Sequence, residues 1–235
     1  MSAPQLLLTN DDGVDAAGLA ALRAVAREIS SQPPITVAPE ECHSGAGHRV
    51  TTLGPLRVGR RDEGIFTTSG TPADCVRLAL GAVAPEVDWI LAGINHGGNL
   101  GADVFMSGTV AAVREGVLHG KPGIATSHYH RKGVDPLDWN RAARWLTPIV
   151  RDLISRPWIP GTFWNVNLPH VAADAPDPQV VHCDLDPSPL QLRFRPEAGD
   201  AYHYAGDYHQ RGRVPGSDVD QCFRGAITVS LVRLY

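Results

Sequence analysis

The chain has 235 residues, 43% hydrophobic and 20% charged, with a net charge of -4. That composition is long and apolar enough for one sizeable core, and it contains no polybasic or acidic block of the kind that tracks a nucleic acid polymer or anchors at a membrane surface. No stretch reaches the length of a membrane span and the N-terminus lacks the basic segment and apolar core of a secretory signal, so cytoplasmic residence and a small-molecule partner are expected. Cys42, Cys75, Cys183 and Cys222 are scattered without CxxC spacing and are expected to be free thiols.

The apolar run Gln5 to Thr9 predicts a short strand, and Leu19, Leu22, Val25, Ala26 and Ile29 recur at helical spacing across Ala17 to Ser30. Ile35 to Ala38 predicts a second strand ending at Pro39, followed by a glycine-rich polar loop from Glu40 to Arg49. At Thr71-Pro72 a capping threonine and a first-turn proline open a helix continued by Val76, Leu78, Ala79 and Leu80. Asp88 to Ala92 reads as a third buried strand, with a loop from Gly93 to Ser107 behind it and a helix from about Gly108 to His119. Gly123 to Thr126 supplies a fourth strand, Pro136 to Ser155 a helix and Thr162 to Leu168 a further strand.

Apolar strands alternating with helices predict a mostly parallel sheet covered on both faces, an α/β, Rossmann-like doubly wound core assigned to residues 1–169. From Val171 to Gly225, Pro176, Pro178, Pro187, Pro189, Pro196 and Pro215 break up any long element. Residues 170–235 are therefore read as an irregular C-terminal arm with short strands. Its aromatic group, Tyr202, His203, Tyr204, Tyr208 and His209, suits a packing or subunit interface better than base stacking. The last segment, Ala226 to Leu234, alternates Ile227, Val229 and Leu231 with Thr228 and Ser230, the pattern of a half-buried strand.

In an open parallel sheet, ligands bind beyond the carboxyl ends of the strands. The loop after the first strand offers Asn10-Asp11-Asp12-Gly13, the loop after the second His43 and Ser44, and the loop after the third Asn95 and Asn99. Two adjacent carboxylates at the end of a buried strand are costly unless a cation neutralises them, and a set made of oxygens suits magnesium or manganese rather than zinc or copper. Asn-Asp-Asp-Gly is also ordinary turn chemistry, so the convergence of three loops is what favours a metal. Ser107-Gly108-Thr109 opens a helix, where free N–H groups and the dipole receive a phosphate, although serine there also serves as a plain N-cap.

His43, His48 and His96 lie in loops facing the same edge and are candidates for proton donation or phosphate contact, without a choice among them. His128 and His130 are read as members of a solvated polar loop. The glycines around Asn95 and Asn99 do not form GxGxxG, and Gly116 to Pro122 does not form a P-loop, so an NAD-dependent oxidoreductase and a Walker-type site are disfavoured.

Taken together, Leu8 to Gly13, Val37-Ala38-Pro39 leading to Ser44-Gly45-Ala46-Gly47-His48, Ser69 to Cys75, Gly93 to Gly101 and Ser107-Gly108-Thr109-Val110 resemble, in order, the SurE family of metal-dependent nucleoside monophosphate phosphatases. Asn165 to Pro169 and Ser217 to Asp220 are similar to later family segments. Glu40-Glu41-Cys42-His43 and Met106 depart from the family's usual residues before Ser44 and Ser107, and 171–214 matches least.

The resemblance implies a divalent cation, Mg2+ or Mn2+, held by Asp11, Asp12, Ser44 and Asn95, and phosphate contacts from Ser107, Gly108 and Thr109. Asp11, Asp12, Asn99, Ser107, Gly108 and Thr109 are the expected catalytic set, with Asn10, His48 and His96 as further substrate contacts. The expected reaction is hydrolysis of a nucleoside 5'- or 3'-monophosphate to nucleoside and phosphate, and the expected assembly is a homodimer or homotetramer that exchanges the arm. Adjacent carboxylates disfavour an aspartyl-phosphate route, whose usual site spaces them as Asp-x-Asp. The alternative function is a nucleotide-binding or sensing module that does not turn its ligand over.

Overall fold

Leu6, Leu7 and Leu8 point alternately into two apolar layers, which is why a continuous apolar run makes the first strand. The computed structural model describes residues 3–131, 133 and 136–235. Its strands are β1 (Leu6–Thr9), β2 (Ile35–Pro39), β3 (Val58–Asp62), β4 (Ile65–Thr68), β5 (Trp89–His96), β6 (Gly123–His128), β7 (Thr162–Leu168), β8 (Val180–His182), β9 (Phe194–Pro196), β10 (Tyr202–Tyr204) and β11 (Ile227–Arg233). Nine of them form one sheet in the order β3-β4-β2-β1-β5-β6-β7-β11-β8, and β9 with β10 forms a separate pair. The central neighbours from β4 to β7 pair in parallel, while β3 on β4 and β11 on β7 run antiparallel.

Helices α1 (Ala17–Ile29), α2 (Pro72–Leu78), α3 (Gly108–Leu118), α4 (Trp139–Ser155) and α5 (Asp218–Phe223) follow strands in turn. Leu6 and Leu8 pack with Leu19, Leu22 and Val25 of α1 and Leu146 and Val150 of α4. Leu7 faces the other layer, with Val76 of α2 and Val110 and Val113 of α3. Each of these fully buried side chains contributes about 1.5–3 kcal/mol of transfer free energy. The helix starts carry their own signals: Thr71 caps α2 in a reciprocal pair with Asp74, with Pro72 in the first turn, and Ser107, Asp138 and Ser217 cap α3, α4 and α5. The expected α/β, Rossmann-like doubly wound sheet is the observed one.

The differences from expectation have local causes. β3 and β4 lack a sequence signal because β3, Val-Gly-Arg-Arg-Asp, is an edge strand exposed on nearly every residue and so shows no alternation. β5 runs four residues past Ala92, through a register shift, to His96. Likewise β6 continues to His128, which is buried, so His128 belongs to a strand and not to a solvated loop. β11 is enclosed between β7 and β8, which buries Thr228 and Ser230 as well as the apolar residues that alternate with them. β8 and β11 thus place part of 170–235 inside the main sheet. Among the described residues no helix is long and apolar enough to cross a membrane, and all four cysteines are free.

Candidate active site

β1 lies between β2 on one side and β5 on the other, the point at which the strand order reverses and a crevice opens. Asn10-Asp11-Asp12 leaves β1 into that crevice. The backbone carbonyl of Asp11 accepts from His43 N at 2.7 Å, which joins the loop after β2, where Ser44 follows His43, to the loop after β1. On the other side His96 N donates to Asp12 Oδ2 at 3.0 Å, which brings the end of β5 to the second carboxylate. α3 closes the crevice from a third direction: the Thr109 hydroxyl donates to Asp11 Oδ1, and a Cβ built on Gly108 would stand 2.9 Å from the Asp11 side chain. Only glycine allows the start of α3 to come that close.

Asp11 is 5% exposed, and burial holds its carboxyl above the usual carboxylate range. The Thr109 hydrogen bond pulls it down, while the neighbouring charge of Asp12 pushes it further up. Asn10 donates from Nδ2 to Gly13 O at 2.7 Å, and its Oδ1 is buried without a donor. Asn95 donates from Nδ2 to Gly97 O at 2.9 Å, which turns its carbonyl oxygen free of that bond. Ser44 Oγ sits 3.1 Å from Cys42 Sγ, with either atom able to donate. Two carboxylates and a buried amide oxygen without a donor therefore gather at one strand end, a donor set that fits a hard cation and its water ligands. Among the described residues no three His, Cys, Asp or Glu side chains group to hold a metal, so any cation here relies on neutral oxygens beside the two carboxylates.

Ser107 caps α3 by accepting from Val110 N at 3.1 Å, leaving the N–H groups of Gly108 and Thr109 at the helix start outside that bond. Asn99 is held from three sides. Its N donates to Asn167 Oδ1 at 2.8 Å, its carbonyl accepts from Asn165 and Asn167, and its Nδ2 donates to Ser127 Oγ at 2.8 Å. Asn165 and Asn167, both fully buried, position Asn99. Their signal was two amides at i and i+2 on an apolar strand, which places both on one face.

His48 goes elsewhere. Its Nε2 meets Glu115 Oε2 at 2.7 Å, and Glu115, seven residues into α3, sits about 10 Å along the helix from Gly108. Glu115 also meets His119 at 3.0 Å; burial would raise its carboxyl, but these two histidines hold it below the usual range. The loop after β2 is anchored a second time by Asp74, which accepts from Thr51 N at 2.7 Å and Thr51 Oγ1 at 2.8 Å. The aromatic group in the arm divides: Tyr202 and Tyr204 are exposed on β10, whereas Tyr208 packs against Tyr129 and Phe223 and donates to Asp103 Oδ2 at 3.0 Å.

The family model described as Survival protein SurE matches residues 6–185, more than three quarters of the chain. The chain belongs to the SurE family. A protein of Nostoc sp. (strain PCC 7120) is 46% identical over 229 residues, covering 97% of this chain and 99% of its own length. The 5'-nucleotidase SurE of Stenotrophomonas maltophilia (strain R551-3) is 43% identical over 240 residues, covering 98% and 90%. The crystal structure of the SurE protein from Aquifex aeolicus superposes with a TM-score of 0.85 at 28% identity, covering 99% of this chain and 94% of that one. In this chain the ends of β1, β2 and β5 and the start of α3 meet at the crevice, and Asp74 at the start of α2 holds Thr51 in the loop after β2.

Proposed function

We propose that this chain is a metal-dependent 5'-nucleotidase that hydrolyses nucleoside 5'-monophosphates to nucleoside and inorganic phosphate in the crevice at the end of β1. The observation that carries the reading is the pair Asp11 and Asp12, brought into contact with the start of α3 by Thr109 and with the end of β5 by His96 N. Asp11, Asp12, Ser44 and Asn95 are the residues assigned to the cation, Mg2+ or Mn2+. When bound, it supplies charge neutralisation to the phosphoryl oxygens.

The rest falls to the chain's own groups. The start of α3 at Gly108 and Thr109, at the positive end of the helix dipole, receives the phosphate oxygens, with the Ser107 cap fixing that turn and Thr109 also bonded to Asp11. Asn99, clamped by Asn165, Asn167 and Ser127, orients the phosphoryl group for in-line attack by water. Asn10 Oδ1, buried without a donor, accepts from that water, and Asp11 or Asp12 aligns it and holds its proton. His96 sits at the rim as a substrate contact. His48, taken up by Glu115, serves to anchor the loop that carries Ser44. The arm is assigned to self-association as a dimer or tetramer.

The test is phosphate release from a panel of nucleoside monophosphates by the full chain, with and without Mn2+ or Mg2+. Metal-dependent release supports the reading. Nucleotide binding without release would make the chain a binding module instead.

A further inference from the structure

Beside Asp12 the chain assembles four histidines and two tryptophans. The His96 and His130 ring centroids are 5.2 Å apart with an interplanar angle of 34°, and the His130 and His170 rings are 5.4 Å apart at 26°. His128 lies behind them, edge-on to Trp139 at 5.9 Å and to His170 at 6.0 Å, with Trp145 at 6.4 Å. Trp139 also stands 6.3 Å from His96. His128 is buried, His130 and His170 are half-buried, and His96 is exposed, so the rings form a short ladder open to solvent at its rim.

Imidazoles that face one another send their nitrogens to the edges of the stack, so they do not converge on a single ion. Consistent with that geometry, none of the described His, Cys, Asp and Glu groups forms a metal cluster. What an open ladder of flat rings does offer is a face for one more flat ring. The ladder begins at the residue whose N–H holds Asp12, 3.0 Å from Oδ2, so it starts beside the second carboxylate of the proposed site.

We propose that the His96–His130–His170 ladder is the platform on which the nucleobase of the substrate stacks, an inference that rests on the nucleotidase reading and adds the residues that recognise the base. The phosphate lies at the start of α3, the sugar crosses Asp11 and Asp12, and the base continues the stack. Because every base has a π-face, such a platform accepts purines and pyrimidines alike and binds phosphoesters without a base more weakly.

The experiment compares AMP and UMP with ribose 5-phosphate as substrates of the full-length parent, His130→Ala and His130→Phe in Mn2+, reading kcat and KM for each. The parent is expected to show a KM for AMP about tenfold below that for ribose 5-phosphate, equivalent to about 1.4 kcal/mol. His130→Ala should raise the AMP KM about tenfold and leave the values for ribose 5-phosphate and kcat for both within about twofold. His130→Phe, which keeps a stacking face, should restore the AMP KM. Equal KM values for AMP and ribose 5-phosphate in the parent, or equal changes for both in His130→Ala, would overturn the platform alone. Hydrolysis of none of the three compounds would overturn the nucleotidase reading and the platform with it.

Discussion

Across the parallel strands β1, β2, β5, β6 and β7, what holds each element in place is apolar: Leu7 against α2 and α3, Leu6 and Leu8 against α1 and α4. Across 184–218 the fastening is charged and polar. Asp218 accepts from Gly101 N at 2.8 Å and Asp186 N at 2.7 Å, and Asp186 accepts from Val214 N, Ser188 N and the Ser217 hydroxyl, which together hold its carboxyl at about 2 despite burial. Arg211 donates to Asp103 Oδ2 at 2.6 Å and to Leu100 O at 3.2 Å. The difference teaches where chemistry is kept: the apolar sheet provides a rigid edge, and the polar arm returns to the Gly98 to Phe105 stretch that runs from β5 into the start of α3. The arm thus steadies the loop that delivers Asn99 and Ser107.

The sharpest break in that comparison is Asp12→Asn. It should lower kcat/KM by about 10³-fold, near 4 kcal/mol of transition-state stabilisation, while the melting temperature stays within a few degrees because no apolar contact is lost. Parallel activity and thermal melts check this. Asp103→Ala acts on the other region: it leaves Arg211, whose side chain is only 6% exposed, without its carboxylate, and should cost about 3 kcal/mol by urea unfolding. Replacing both, as Asp103→Ala with Arg211→Met, should recover part of that loss.

Acid should reach the core through His128. Burial lowers its pKa to about 4 from an ordinary 6.5, opposed by a hydrogen bond to Tyr129 O and reinforced by His170, His96 and His130. Asp138 and Arg141 line the same cavity, about 50 Å³ in volume. Between those two pKa values the unfolded chain takes up a proton that the folded chain refuses. The contribution of neutral His128 is therefore complete above about pH 6.5 and falls by about 3 kcal/mol as pH drops towards 4. Urea midpoints at pH 7, 5.5 and 4 should show that slope in the parent and a weaker one in His128→Gln. The smallest expected effect lies where the arm joins the sheet: Thr228 is fully buried on β11 with an unpartnered hydroxyl, so Thr228→Val should stabilise the chain by up to about 1 kcal/mol. A thermal melt showing a loss instead would mean the hydroxyl has a partner.

The same contrast explains what the sequence made legible. Buried parallel strands announce themselves as apolar runs, so β1, β2, β5, β6 and β7 and the helices between them follow from periodicity, and their carboxyl ends bring Asp11, Asp12 and Asn95 to one edge, with Asn95 on β5 itself and not in a loop. Asp12 and His96 touching through a backbone N–H is the kind of meeting that strand order alone implies. Periodicity is silent where polar groups do the fastening. β3 is a polar edge strand, His48 is captured by a glutamate 67 residues away, and Asn99 is clamped by amides 66 and 68 residues away. The hidden status of His128 came from the same source, since a polar residue at the end of a strand reads like a loop until the helix that covers it, α4, is in place.

Asp11 and Asp12 are assigned to a cation, and that assignment is directly measurable. Titration of Mn2+ into the metal-free full chain, followed by the electron paramagnetic resonance signal of free Mn2+, tests the assignment most directly when phosphate release from AMP is read on the same samples. Mn2+ uptake that disappears in Asp12→Asn, with release rising in proportion to occupancy, is the predicted result. Release of phosphate at full rate without bound metal, or uptake unchanged in Asp12→Asn, would contradict it.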